Sequence, residues 1–385
     1  MAIEKFIPTS PDLDIRQDSD LAPAKFGHLN RLVDDINAGG LGGGLYQEGE
    51  GLNSSVRCGD LGNVASGERS FVANGLNNTA SGEGSVILNG TCSLSLGLYS
   101  IAHGNSSCAL NNGAIAIGFR NQSIKGDAIT FGACNINDSP LSYNVSTVSG
   151  GYKNYNCGIL AFMGGGICNK IEGGACNVLV GGENNCIVQT YGGATHTNFL
   201  GAGRFNKILS ATTNCVNSIH STLAGGCSNV ICGVQFGTIP GGAFNRVDNA
   251  ALPVAGGGIS AGGAFNTVSS NDAGIFAGRS NVMTGEKSTI QGGQSNSVSG
   301  AFSSIQAGRN NTVSSAYSSI FGGEGNVACH SHSGIFGCDI TSRMSCAFHT
   351  NRIVVTALPS SPTGLPVGAM WYDPADGNTV KYVSA

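Results

Sequence analysis

The sequence predicts an all-β protein, a parallel β-solenoid built from coils of about 15 residues. Three observations carry this. Isoleucines recur at 275, 290, 305, 320 and 335, and asparagines at 266, 281, 296, 311 and 326, each 15 apart. Rows such as Ser304-Ile305 and Asn311-Thr312-Val313 alternate with period two, the mark of a short strand with one face inward. Glycine makes up 61 of 385 residues, about one in six and more than twice its usual share. Helix-pair repeats need more than about 30 residues per unit, so a 15-residue period excludes them. Collagen is excluded because glycine does not recur every third residue and proline totals only 10.

Within a row, two strands of about five residues and two tight turns account for 15 positions. Glycine pairs supply positive φ at one turn. The signature Gly-Gly-x-x-Asn occurs at 150–154, 165–169, 181–185, 225–229, 241–245 and 262–266. The 15-residue spacing also holds for Ser55, Ser70, Ser85 and Ser100. Stacking puts isoleucine on isoleucine, and asparagine on asparagine, where amides hydrogen-bond up the stack. Residues 51–343 give about 20 coils, a rod near 90 Å at about 4.8 Å per strand step. One such coil buries too little apolar surface to offset about 1–2 kcal/mol of backbone entropy per residue. Three rolls sharing one axis would cure that, so a homotrimer is expected, with Phe302 and Tyr317 as candidate seam residues.

The ends differ from the middle. Residues 1–50 read as a docking segment with a short helix at about 23–37 and a Gly-rich linker. Pro23 starts the helix, and Phe26, Leu29, Val33 and Ile36 form a heptad seam. That seam serves either as a register clamp on the rod or as a dock for another protein. Residues 344–385 read as a small β cap, with an alternating stretch at Arg352–Thr356 and an Asp376-Gly377 hairpin turn.

Composition bounds the function. A net charge of −4 argues against nucleic-acid binding. No apolar run is long enough for membrane insertion, and no secretory signal opens the chain. The 14 cysteines show no CxxC pairing and read as reduced thiols made in a cytoplasm, with Cys168 and Cys176 as small buried fillers.

Chemistry is sparse. Glycan cleavage needs two carboxylates about 5–9.5 Å apart. The acids close together near the repeats are Glu48 with Glu50, Glu68 with Glu83 one row apart, and Asp138, and a solvated turn position explains the Glu68 and Glu83 ladder pair. No phosphate loop or calcium-binding repeat is present, and no Gly-x-Ser-x-Gly elbow with convincing partners appears, isolated matches being cheap in a Gly/Ser-rich chain, so no enzyme is expected. His330 and His332 form a His-x-His pair. If alternation turned both inward on a trimer axis, six nitrogens would make an octahedral cage for iron or another transition metal.

The rows Ser-x-Ile-x-Gly-Gly-x-x-Asn-x-Val, best kept over 273–338 and 55–100, resemble the left-handed β-roll heads of YadA-type trimeric autotransporter adhesins. The tail LPSSPTGLPVGAMWYDPADGNTVKYV is similar to a C-terminal element of bacteriophage tail-fibre and other virion fibre proteins, and AKFGHLNRLVDDIN resembles a short helix of phage structural proteins. The export signal and membrane-anchor barrel of an autotransporter are not read in the sequence. The resemblances together imply a trimeric virion fibre, made in the host cytoplasm. Its N-terminus would dock on a tail, baseplate or capsid protein. Loops at roughly 136–149 and 186–222, or the tip, would touch a host-surface glycan or protein receptor. Phage fibres and spikes carry His-x-His metal sites of this kind. A glycan-depolymerising tailspike and a ligand-free structural spacer or capsid decoration are the alternatives.

Overall fold

A computed structural model describes residues 46–57, 62–138, 145–189, 197–209, 220–248, 258–260, 262–354, 357–377 and 379–384. The expected helix at 23–37, with the docking segment up to residue 45, lies outside them. Among the described residues the chain is all-β, and Pro374–Asp376 is its one helical element. Each turn gives one short strand to a front sheet and one to a back sheet, and consecutive turns pair in parallel. The front sheet has 21 strands and the back sheet 17. This makes about 17 turns and a rod about 80 Å long. The count falls below the expected 20 because inserted segments take up chain without adding turns.

In the C-terminal half Ile290 pairs beside Ile305, Ile305 beside Ile320, and Val298 beside Val313, a step of 15. Between Leu94 and Asn137 the step is 14, with Cys108 beside Leu94 and Gln122, and Ile115 beside Ile101 and Ile129. The missing residue belongs to the front-to-back corner. There a single Gly104, Gly118 or Gly132 replaces the glycine pair, and the front strands run five residues, as in Ile101–Asn105 and Ile115–Phe119. In 15-residue turns the extra residue bulges out and shortens the regular strand to two residues, as in Thr289–Ile290 and Ser304–Ile305. Five-residue strands are therefore not the general rule.

The core is one side chain wide per strand. Ile275, Ile290, Ile305, Ile320 and Ile335 fill the front, and Met283, Val298, Val313 and Ala328 the back, all fully buried. The apolar core comes in two clusters, Val56 to Ala116 and Val148 to Ile335. Between them Ser123, Thr130 and Asn137 occupy core positions. These pair with one another and with backbone: Ser123 Oγ lies 2.7 Å from Thr130 Oγ1, and Asn137 Nδ2 donates to the Ser146 carbonyl at 2.8 Å. Buried polar groups are tolerated when paired in this way.

An asparagine column lines the front-to-back corner. Asn296 Oδ1 accepts the Asn311 backbone N–H at 3.0 Å, while its Nδ2 donates to the carbonyls of Gly292 at 3.2 Å and Gly308 at 2.9 Å. The same Oδ1-to-N–H link repeats from Asn121 through Asn135, Asn154 and Asn169 up to Asn326, which accepts from Ile340. The expected amide-on-amide bonds also occur, as from Asn311 Nδ2 to Asn296 Oδ1 at 3.1 Å. The main work of each side chain is nevertheless to satisfy corner backbone groups. The opposite corner carries a serine column, where Ser303 N–H donates to Ser288 Oγ at 2.9 Å and Ser288 Oγ donates to the Gly300 carbonyl at 2.9 Å.

The two corners differ in length. Front-to-back spacing stays at eight residues across Met163 to Ile171, Leu200 to Ile208 and Leu223 to Ile231. Back-to-front spacing is seven from Val298 to Ile305 but thirteen from Ile187 to Leu200 and fifteen from Ile208 to Leu223. The insertions thus leave from one edge of the rod.

At the N-terminal end Tyr46–Glu48 pairs antiparallel with Ser55–Arg57, which covers an open front-sheet edge. The last parallel front strand is Phe348–Thr350 against Gly334–Phe336. It lies four residues before the alternating stretch at Arg352, because register with the preceding turn fixes it. Residues 352–354 are outside any strand. Beyond them Met370–Asp373 and Thr379–Tyr382 form the expected antiparallel hairpin, with Gly377 at φ +62.

Candidate functional site

Glu68 and Glu83 do stand on adjacent turns, but Arg69 bridges them, its Nη2 3.2 Å from Glu68 Oε1 and 2.7 Å from Glu83 Oε1. The two carboxylates share one guanidinium on a solvent-exposed turn.

His330 and His332 are taken up by different neighbours. His332 sits at a left-handed turn position, φ +58, so strand alternation does not apply to it. Its ring stacks on Tyr317 at 5.0 Å, and Tyr317 stacks on Phe302 at 5.1 Å. Lys287 Nζ caps the column 5.3 Å from the Phe302 ring. His330 Nδ1 lies 3.2 Å from Ser342 Oγ and 3.4 Å from Cys329 Sγ. Among the described residues no three of His, Cys, Asp and Glu gather as a metal site.

Phe302 and Tyr317 are exposed, at 47% and 54%, in a ladder on the serine corner. Cys168 and Cys176 are not buried fillers. Cys168 is exposed, and both occupy left-handed corner positions, φ +55 and +57, where other turns place Ser, Asn or Phe. Among the described residues the twelve cysteines form no disulfide with one another. On the back sheet burial pushes the Cys186 and Cys232 thiols up, away from the thiolate a nucleophile needs. Burial, then a bond to Cys157, raises the Tyr155 hydroxyl, and a 2.6 Å contact to Glu172 holds Lys170 charged. Segments 139–144, 190–196 and 210–219, within the two expected receptor loops, lie outside the described residues.

The feature missed in the sequence is the outer face of the front sheet. Each described rung presents two outward residues, one on either side of the core residue. These run Phe71 and Ala73, Val86 and Leu88, Ile101 and His103, Ile115 and Ile117, then on to Gly334 and Phe336. Among the described residues Arg57, on the first rung beside Val56, is the one charged residue type at these positions, and from Phe71 to Phe336 none is Asp, Glu, Lys or Arg. Leu88, Phe162, Phe199, Phe276 and Phe336 are between 40% and 59% exposed there. The back sheet, by contrast, presents Lys170, Glu172, Lys207, Arg246 and Asp248 outward. Near the middle of the front face a cavity of about 490 Å³ is lined by Phe236, Thr238, Asp272, Ala273, Gly274, Phe276 and Thr289. The signal was available as residues flanking each repeat isoleucine, but only the strand register shows which of them share a face.

Comparison with protein-family models and with curated proteins finds no match for this chain.

Proposed function

We propose that the chain is a non-enzymatic virion fibre protein that forms a homotrimeric rod, with a left-handed roll in each copy. The N-terminal segment docks on a tail, baseplate or capsid protein, and the rod carries contacts to a host-surface glycan or protein. The observation that carries this reading is the outer face of the front sheet, which from Phe71 to Phe336 has no charged residue among the described positions and exposes Leu88, Phe162, Phe199, Phe276 and Phe336. Parallel sheets are normally covered on both faces, and an exposed apolar surface of this extent marks an interaction surface. In a rotational assembly each residue meets its own copies at the same height. A single charge there would be repeated in every subunit at close range, so a face free of charge from Phe71 to Phe336 suits self-association. The corner that takes the insertions is a separate edge, which leaves it free for other partners.

Light scattering of the purified full chain tests the assembly. The expected mass is about three times the 38.9 kDa chain, and a monomer at micromolar concentration overturns the trimer. Gold-labelled antibody on intact virions tests location. Competition of host adsorption by the purified rod tests attachment, and no competition favours a ligand-free spacer.

A further inference from the structure

We propose that the asparagine corner carries a slot for one neutral sugar ring, walled by Phe205 and Phe244 with Ser228 as its floor. This rests on the glycan side of the attachment reading and names where on the rod the sugar is held.

Phe205, Ser228, Phe244 and Phe265 occupy one corner position on four successive turns. Each has a left-handed φ between +56 and +59, and each backbone N–H donates to a carbonyl of the turn before it at 2.8 to 3.0 Å. Side chains at equivalent positions leave the rod in the same direction, about 4.8 Å apart per turn. Phe244 and Phe265 follow this, their rings stacked at 4.8 Å and 2° from parallel. Serine at 228 omits one ring from the stack. Phe205 and Phe244 therefore stand two steps apart, about 9.6 Å, with half-buried Ser228 between them. Both rings are open to solvent, at 42% and 51%.

The far ends of the column are already occupied. Arg204 is drawn to Glu183 on the preceding turn, Nε to Oε2 3.1 Å, and its guanidinium lies 5.0 Å from the Phe205 ring centre. Arg279, on the turn after Phe265, lies 5.7 Å from that ring centre. The gap over Ser228 is thus a break inside a column that is capped by a cation at each end. The insertions leave from the other corner, so this edge keeps the same short turn throughout.

The width selects the guest. An aromatic guest touching both walls needs them about 7 Å apart, twice the closest carbon–carbon separation. Walls about 9.6 Å apart suit a thicker, saturated ring. A pyranose chair is such a ring, with C–H groups directed to both faces and hydroxyls around its rim. The C–H faces meet the negative faces of the two phenyl rings, and the Ser228 hydroxyl meets the rim. Ser228 is uncharged and Arg204 is paired with Glu183, so the slot favours a neutral hexose over an acidic one.

The test titrates the purified full chain with the methyl glycosides of glucose, galactose and mannose, read by saturation-transfer NMR. At least one should bind with a Kd on the order of 1–10 mM, as a single small ring does. Ser228→Phe continues the stack and fills the slot. Phenylalanine already stands at this position at 205, 244 and 265, so circular dichroism and melting should match wild type while binding falls about tenfold or more. Ser280→Phe adds a ring to the same column outside the slot and should bind within about twofold of wild type. No binding of any of the three glycosides, or binding unchanged in Ser228→Phe, overturns the slot. A rod that still competes for host adsorption then keeps the attachment reading, whereas one that binds a sugar in the slot without competing loses the attachment reading alone.

Discussion

The side-chain oxygen of Asn296 accepts the backbone N–H of Asn311, one full turn along the rod, at 3.0 Å. Fifteen residues of chain separate the two, yet one amide fixes the spacing of their turns. Repeated turn after turn, this link holds a corner where the chain reverses and cannot satisfy its own backbone. Asn296→Ala removes the acceptor for Asn311 and the donor to Gly292 and Gly308. Each buried group left unpaired costs about 1–3 kcal/mol. The expected outcome is a clearly lower urea midpoint. Asn296→Ser should cost less, since Ser93 fills this role with its Oγ 2.8 Å from the Gly104 carbonyl.

The two glycines of the corner pair are not equivalent. Gly293 has φ +97, and a Cβ on it would lie 2.1 Å from the Gly308 carbonyl oxygen, whereas a Cβ on Gly292 meets nothing within 4 Å. Gly292→Ala should therefore leave the thermal midpoint nearly unchanged, as Ala277 and Ala307 already stand at that place before Gly278 and Gly308. Gly293→Ala adds a clash to a left-handed penalty of about 1–2 kcal/mol and should lower the midpoint by several degrees.

Corner length gives an insertion test. Four residues of Gly and Ser inserted between Ser299 and Gly300, on the edge that takes the natural insertions, should leave the far-UV spectrum and melting unchanged. The same four inserted between Gly293 and Gln294 break the asparagine link and should destabilise the rod. Equal effects at both corners would contradict the assigned roles.

Thiol reactivity follows burial. Desolvation raises the Cys186 thiol, so less of it is thiolate at pH 8. Exposed Cys168 and Cys338 should alkylate several-fold faster than Cys186 in the folded protein, with the difference lost in denaturant, as read by peptide mass spectrometry.

The C-terminal hairpin titrates on the acid side. Lys381 Nζ donates to Asp373 at 2.7 Å and to Asp376 at 3.0 Å, which holds both carboxyls below their usual range. A depressed carboxylate contributes stability above its unfolded pKa, and that contribution fades as pH falls through the folded value. Trp371, the one tryptophan of the chain, has Lys381 over its ring at 5.8 Å. Its emission should hold steady between pH 7 and 5 and shift below about pH 4. In Lys381→Met that acid step should move toward ordinary carboxylate values.

Periodicity by itself determined the solenoid, because a residue that recurs every 15 positions stacks on itself and a narrow core needs only Ile290 and Val298 per turn. It also located the hairpin at Asp376-Gly377 from turn chemistry alone. It did not show the 14-residue turns of Leu94 to Asn137, where one glycine does the work of two, nor the polar core at Ser123, Thr130 and Asn137. Those depend on how neighbouring turns pair. Likewise, whether His332 lies on a strand or at a corner depends on a left-handed φ that His-x-His spacing cannot convey. Most of all, the front face, without charge from Phe71 to Phe336, exists only after folding. Phe71, Ile101, Phe199 and Phe276 are far apart in the chain, and the parallel register alone brings them onto one surface.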